Sequence, residues 1–170
     1  MKRSPYLATD NRLADVIAAI QAAGTYKFYK LDFAGWADRI CGDTGQADHW
    51  RSVFVDHPEF FRLDSGRVKA SLVLRRQRQK LFNVDQEKVW SRPDYDALSP
   101  AQQLRFSRLP LTASEIEALI DVAVSLHTRA AERDRDRRWW FVPAFGFAGA
   151  VAGGLAVKLI DLALKFAGQP

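Results

Sequence analysis

The sequence predicts a mainly α chain with one small antiparallel β-hairpin and a long C-terminal helix continuing into a single transmembrane helix. Three observations predict it. Apolar residues recur at helical spacing up to His57, the period switches to two between Phe61 and Arg75, and the nineteen residues Trp139 to Val157 hold no charge. A helix of nineteen residues rises roughly 28 Å, close to the hydrocarbon core of a bilayer.

The elements follow in order. Thr9, Asp10 and Asn11 offer an N-cap for a first helix with Leu13, Val16, Ile17 and Ile20 inward and Gly24 as its stop. TYKFYKL alternates and reads as a short strand. Asp32 caps a second helix with Phe33, Trp36, Ala37 and Ile40 inward and Gly42 as its stop. A third helix carries Ala47, Trp50, Val53 and Phe54 inward. Then Phe61 and Leu63 alternate with Arg62 and Asp64, Ser65-Gly66 turns the chain, and Val68, Ala70, Leu72 and Leu74 alternate with polar neighbours.

The order helix, strand, helix, helix, hairpin resembles a winged-helix domain over about residues 9–80. The resemblance implies a reading helix at 46–57 and a wing at 63–71. In nucleic-acid-binding members such a helix enters the major groove while the wing grips the backbone. Here the reading helix carries Asp48 and Asp56 and is preceded by Asp43, so Arg51 is its one strong phosphate donor. The wing and its exit are richer: Arg62, Arg67, Lys69, Arg75, Arg76, Arg78 and Lys80 stand against Asp64 alone. These residues with Arg51 are the candidate contacts for DNA or a protein partner, and a solvated hairpin face is the plainer reading of the same charges.

The chain divides by pattern into the winged-helix-like domain at 1–82, a proline-punctuated linker with short helices at 83–111, an amphipathic stalk helix at 112–138, the apolar segment at 139–157 and a short amphipathic tail at 158–170. Ser99-Pro100 fits the start of a short helix, and Thr112 to Glu115 has the form of a capping box. Ile116, Leu119, Ala123, Leu126 and Ala130 form a seam, either of a coiled coil or of a helix folded back on the first domain.

Basic residues cluster before the apolar segment, so the N-terminal side reads as cytoplasmic and the chain as a single-pass protein of a cell inner membrane. Arg137, Arg138, Trp139, Trp140 and Lys158 are the expected membrane-interface residues, in contact with lipid. Gly146, Gly149, Gly153 and Gly154 give small-xxx-small spacing and predict a homo-oligomer packed through that helix. MKRSPYLATDNR lacks the apolar core of a signal peptide, Cys41 alone builds no disulfide framework and reads as core, and arginine outnumbers lysine as in many bacterial chains.

No P-loop, dinucleotide or nucleophile-elbow motif occurs, and His49, His57 and His127 are scattered. The sequence therefore predicts no enzyme, cofactor, metal or small-molecule substrate. The expected function is a membrane-anchored adaptor or sensor that docks a macromolecule through the winged-helix-like domain. The alternatives are a membrane-tethered DNA-binding regulator using the basic wing and a small oligomeric pore-forming effector.

Overall fold

The computed structural model describes residues 4–139, with side chains up to residue 136. The described residues up to 127 form one compact unit, and those from 128 to 139 belong to a second. In the first unit, α1 (Arg12–Thr25), α2 (Phe33–Cys41) and α3 (Ala47–Asp56) pack on a three-stranded antiparallel sheet of β1 (Lys30–Asp32), β2 (Phe61–Leu63) and β3 (Lys69–Leu72), ordered β1-β3-β2. The register sets Lys30 against Ser71 and Leu31 against Ala70 on one side of β3. On the other side it sets Phe61 against Leu72 and Arg62 against Ser71.

Local chemistry explains the boundaries. The Asp32 carboxylate accepts from the Gly35 N–H at 2.7 Å and fixes the start of α2. Gly42 ends that helix at φ 72°, a left-handed conformation that costs an L side chain strain. Trp36 is fully buried, stacks near Phe54 at 6.0 Å and donates Nε1–H to the Ala70 carbonyl at 3.0 Å, tying helix to sheet. Phe54 meets Phe61 edge-on at 4.7 Å. Burying such rings supplies several kcal/mol each, so this aromatic seam is the main apolar contribution to the unit.

Residues 82–107, mostly within the stretch expected to be a linker with short helices, also hold a second antiparallel sheet beyond the expected hairpin. Strands β4 (Phe82–Asn83), β5 (Lys88–Val89) and β6 (Phe106–Ser107) are ordered β5-β4-β6. Strands of two residues are too short to show a period of two. Their core is Phe82, Val84 and Phe106, with Trp90 and Tyr95 ring centroids 5.3 and 5.1 Å from Phe106. Short helices α4 (Val73–Arg76), α5 (Arg92–Asp96) and α6 (Pro100–Gln103) connect the pieces, α6 carrying a capping box between Ser99 and Gln102.

Helix α7 (Ala113–Trp139) opens with a second capping box, Thr112 Oγ1 accepting from the Glu115 N–H and Glu115 from the Thr112 N–H. Its first-unit part, up to His127, folds back on that unit, with Ala123 fully buried. Gly24 is not a helix stop: it lies inside α1, where a Cβ would sit 3.1 Å from Ile116 Cγ1. Of the two readings of the seam, its start at Ile116 follows the intrachain one. In the second unit, the described residues 128–139 continue as helix.

The membrane expectation is corrected. Among the described residues no helix is long and apolar enough to cross a membrane, α7 being rich in charge up to Arg138. The fold is mainly helical with two small three-stranded sheets, and the single-pass, inner-membrane assignment is withdrawn. The stretch 140–157 that suggested it lies outside the described residues, as do Trp140, Gly146, Gly149, Gly153, Gly154 and Lys158. Arg137, Arg138 and Trp139 fall in the last turn of α7.

Candidate functional site

Seven of the predicted contact residues lie on β2, the turn after it, β3, α4 or its exit, and the fold sends them in two directions. Arg75, expected at a partner surface, is 0% exposed. Its guanidinium donates to the carbonyls of Ala23 (2.9 Å), Tyr26 (2.6 Å) and Arg108 (2.6 Å), and more weakly to Lys27 at 3.4 Å. Three of these acceptors lie at or just past the C-terminal end of α1, where the helix dipole favours a cation. Burial, and then the charge of Arg78, lowers its pKa to about 10, so it remains charged at neutral pH.

This clamp also explains a misread strand. The carbonyls of Tyr26 and Lys27 serve the guanidinium, so TYKFYKL is bent at its start and β1 is confined to Lys30–Asp32. The Tyr29 N–H goes to Ser107 Oγ at 3.0 Å, linking the two sheets.

Arg78 and Lys80 are likewise engaged within the chain. Arg78 donates to the carbonyls of Leu109 and Pro110 and pairs with Glu115. Lys80 Nζ donates to the Gln103 carbonyl at 3.4 Å. Arg108, just after β6, returns the contact, donating to the carbonyls of Arg76 and Arg78 with its guanidinium 4.9 Å from the Tyr29 ring. The Thr112 N–H, Arg78 and the Thr112 hydroxyl hold the Glu115 carboxyl down to about 2. Among the described residues, Glu115 is the one carboxylate hydrogen-bonded to this group of arginines.

The remaining residues face water. Arg51, Arg62, Arg67, Lys69 and Arg76 are exposed, Arg51 lying 5.9 Å from the Phe33 ring. Across the sheet, Lys30 and Arg62 flank Ser71 in register, whereas Lys69 is opposite Asp32 and receives the Asp64 N–H on its carbonyl. The wing turn is built by Asp64, whose carboxylate accepts from Val68 and Lys69 N–H groups at 3.0 and 3.1 Å. Those two bonds, Lys69 first, hold its carboxyl below the ordinary range. The left-handed residue of the turn is Arg67, at φ 55°, rather than Gly66. Helix α3 and the turn ahead of it add acid: Asp48 and Asp43 are exposed, and Asp56 pairs with Arg12 at 3.7 Å.

Two clusters were not foreseen. Tyr6 donates its hydroxyl to Glu59 at 2.8 Å, and His57 Nδ1 lies 3.0 Å from the same oxygen. The Tyr6 ring stands edge-on to His57 at 4.5 Å and to His127 at 6.3 Å. Burial raises the Glu59 carboxyl, but hydrogen bonds from His57, its own backbone and Tyr6 outweigh it and leave it lowered. His57 is fully buried, so this group staples the N-terminal turn (Pro5–Leu7) rather than meeting a substrate. The signal was the His57-x-Glu59 spacing after α3. Cys41, expected in the core, is exposed, and Trp50 Nε1 approaches its sulfur at 3.4 Å.

The second cluster surrounds β5. A cleft of about 420 Å³ is lined by Arg78, Leu81, Phe82, Val89 and Leu109 among others. A second, of about 620 Å³, lies between Val89, Lys88, Trp90, Ser91 and Asp94. Val89 and Leu109 are 50% and 41% exposed, large values for apolar residues bordering a groove. Among the described residues no group of three or more His, Cys, Asp or Glu could hold a metal ion.

Compared with protein families, curated proteins and solved structures, the chain matches none.

Proposed function

We propose that the first unit is a non-enzymatic docking module, an adaptor that binds a protein partner. The observation that carries this reading is the inward use of Arg75, Arg78 and Lys80. Three of the cations that would have tracked a phosphate backbone instead close carbonyls and a carboxylate of their own chain. What remains on the wing is interleaved with Asp32 and Asp64, while α3 presents Asp48 and the turn ahead of it presents Asp43. A polyanion repeating one charge every few ångströms meets that mixture unfavourably, whereas a protein surface of mixed charge does not. The three-stranded sheet ordered β1-β3-β2 behind α1, α2 and α3 supports the winged-helix resemblance, and such domains serve protein docking as well as nucleic acids.

One observation favours the second reading, DNA binding: Arg62, Arg67, Lys69 and Arg76 are exposed on the wing and its exit. In-cell cross-linking followed by purification of the full chain, beside anisotropy with a labelled DNA duplex at increasing salt, separates the two. The docking reading expects a stoichiometric cross-linked protein and only weak duplex binding. A steep salt slope that Arg62→Glu with Lys69→Glu abolishes, with no cross-linked protein, overturns it in favour of DNA.

A further inference from the structure

We infer that the cleft beside β5 receives an extended, acidic and apolar peptide segment of the partner, added as a strand to the free edge of the β5-β4-β6 sheet. The inference rests on the docking reading above and names its site and the chemistry of its ligand.

Three independent observations meet at this place. The first is hydrogen-bonding capacity. Strand β5 pairs with β4 on one side, and the Trp90 N–H donates to the Leu81 carbonyl at 2.8 Å. In an antiparallel ladder the groups of successive residues point alternately toward and away from the partner strand. The N–H and C=O of Val89, next to Trp90, therefore point to the open edge. The edge is held in shape by its own turn: Asn83 Oδ1 accepts from the Asp85 and Gln86 N–H groups, and Glu87 takes φ 51° to reverse the chain. An incoming strand finds a preorganised donor and acceptor, which lowers the ordering cost of binding.

The second is apolar surface. The Val89 side chain borders both clefts, and Leu81, Phe82 and Leu109 floor the first of them. Successive residues of an extended chain point to opposite sides, so a strand laid along Val89 places alternate side chains in the two clefts. Half-exposed Val89 and Leu109 are the surface that such a strand would cover.

The third is charge. Arg78 borders the first cleft, and Arg75, Arg76 and Arg108 lie on the same turn or across from it, with Glu115 as the hydrogen-bonded carboxylate of the group. The excess positive field at the mouth of a cleft with apolar walls selects a carboxylate on the incoming chain. Lys88 on the edge strand is balanced in the second cleft by Asp94, which accepts from the Ser91 hydroxyl, so the carboxylate is selected in the first cleft, whose lining among the described residues carries Arg78 and no acid.

The test uses the full chain and two labelled peptides of about eight residues, alternating Val with Glu or Val with Lys, because alternation is the pattern an added strand presents. Anisotropy is expected to give saturable binding of the Val/Glu peptide at least about tenfold tighter than the Val/Lys peptide. Val89→Pro, which removes the edge N–H, and Leu109→Asp, which places a like charge in the first cleft, are each expected to weaken it about tenfold or more. Arg62→Glu on the wing is expected to leave it unchanged. Val89→Asp supplies the repulsion without the proline, so a poorly folded Val89→Pro does not decide the matter. Equal binding of the two peptides, no saturable binding of either, or wild-type affinity in Val89→Asp and Leu109→Asp overturns the inference. A cross-linked protein partner that persists in these variants leaves the docking reading standing and removes only this site.

Discussion

Arg75→Met is the sharpest test of the fold. It keeps an unbranched apolar stem and deletes the guanidinium. Three bonds of 2.6–2.9 Å and one of 3.4 Å are lost, and the carbonyls of Ala23, Tyr26, Lys27 and Arg108 lose their common donor. Hydrogen bonds from a charged donor contribute roughly 1.5–3 kcal/mol each, so three good ones set a gross loss of roughly 5–9 kcal/mol. Methionine avoids the desolvation of a buried cation, which returns several kcal/mol, and the expected net loss is about 3 kcal/mol. With a urea m-value of about 2 kcal/mol per M, the midpoint falls by about 1.5 M. Arg75→Lys, whose single ammonium reaches fewer of the carbonyls, falls between Met and the natural residue. Arg76→Met removes one 3.4 Å bond from an exposed residue and should shift stability by less than about 0.5 kcal/mol. If Arg75→Met unfolds at the natural midpoint, or Arg76→Met costs as much, the clamp is wrong.

Gly24→Val drives a branched side chain into Ile116 and is expected to cost about 1–3 kcal/mol in urea denaturation, despite the gain in helix propensity; an unchanged midpoint would refute the close approach of α7. Glu115 has its pKa depressed from 4.5 to about 2, so its contribution is complete above pH 4.5 and lost as pH falls toward 2. Because Glu115 is a third exposed, that contribution is below about 1 kcal/mol, and Glu115→Gln should flatten the acid limb of a midpoint-versus-pH plot by no more. Tyr6 has its pKa raised above 10.0, chiefly by burial and then by Glu59, so its contribution holds below pH 10 and fades above it. Tyrosinate absorbance should accordingly show Tyr6 ionising only as the chain unfolds, and a Phe substitution at Tyr6 that leaves that late step in place would contradict the staple. Cys41 should react fully with a thiol reagent in the native state and perturb Trp50 fluorescence, whereas a need for denaturant would place it back in the core.

What could be read from the sequence and what could not divide along a physical line. Helix starts were legible, because Asp32, Ser99 and Thr112 act through the next three residues of their own chain. The inward faces of α2 and α3 were legible for the same reason, since Trp36, Trp50, Val53 and Phe54 repeat with the helix itself. Gly24 was misread because its role is set by Ile116, distant in sequence, and a glycine that ends a helix looks the same as one that admits a neighbour. The second sheet was missed because strands of two residues carry no period, and only Phe82, Phe106 and the rings of Trp90 and Tyr95 could have marked its core. At the candidate site the free edge at Val89 left no trace in composition at all.

The arginines show the limit most clearly. A run such as Arg75-Arg76-Gln77-Arg78 is one charge pattern but three fates: Arg75 is buried, Arg76 is exposed and Arg78 is tied to Pro110 and Glu115. Sequence counts charge, whereas the fold decides whether a cation answers its own carbonyls or someone else's anion. Buried in this way, arginine acts as a hydrogen-bonding hub whose two terminal nitrogens make four bonds, joining α4 to the C-terminal end of α1 and to the residue after β6, a task for which lysine has the wrong geometry. The inward commitment also shapes the surface: by drawing Arg75 and Arg78 from the wing toward β6 and α7, it moves the positive field from the sheet β1-β3-β2 to the cleft beside β5. The basic run therefore bears on function through the electrostatics of a neighbouring groove, and the decisive comparison is between wing variants and cleft variants in the same binding assay.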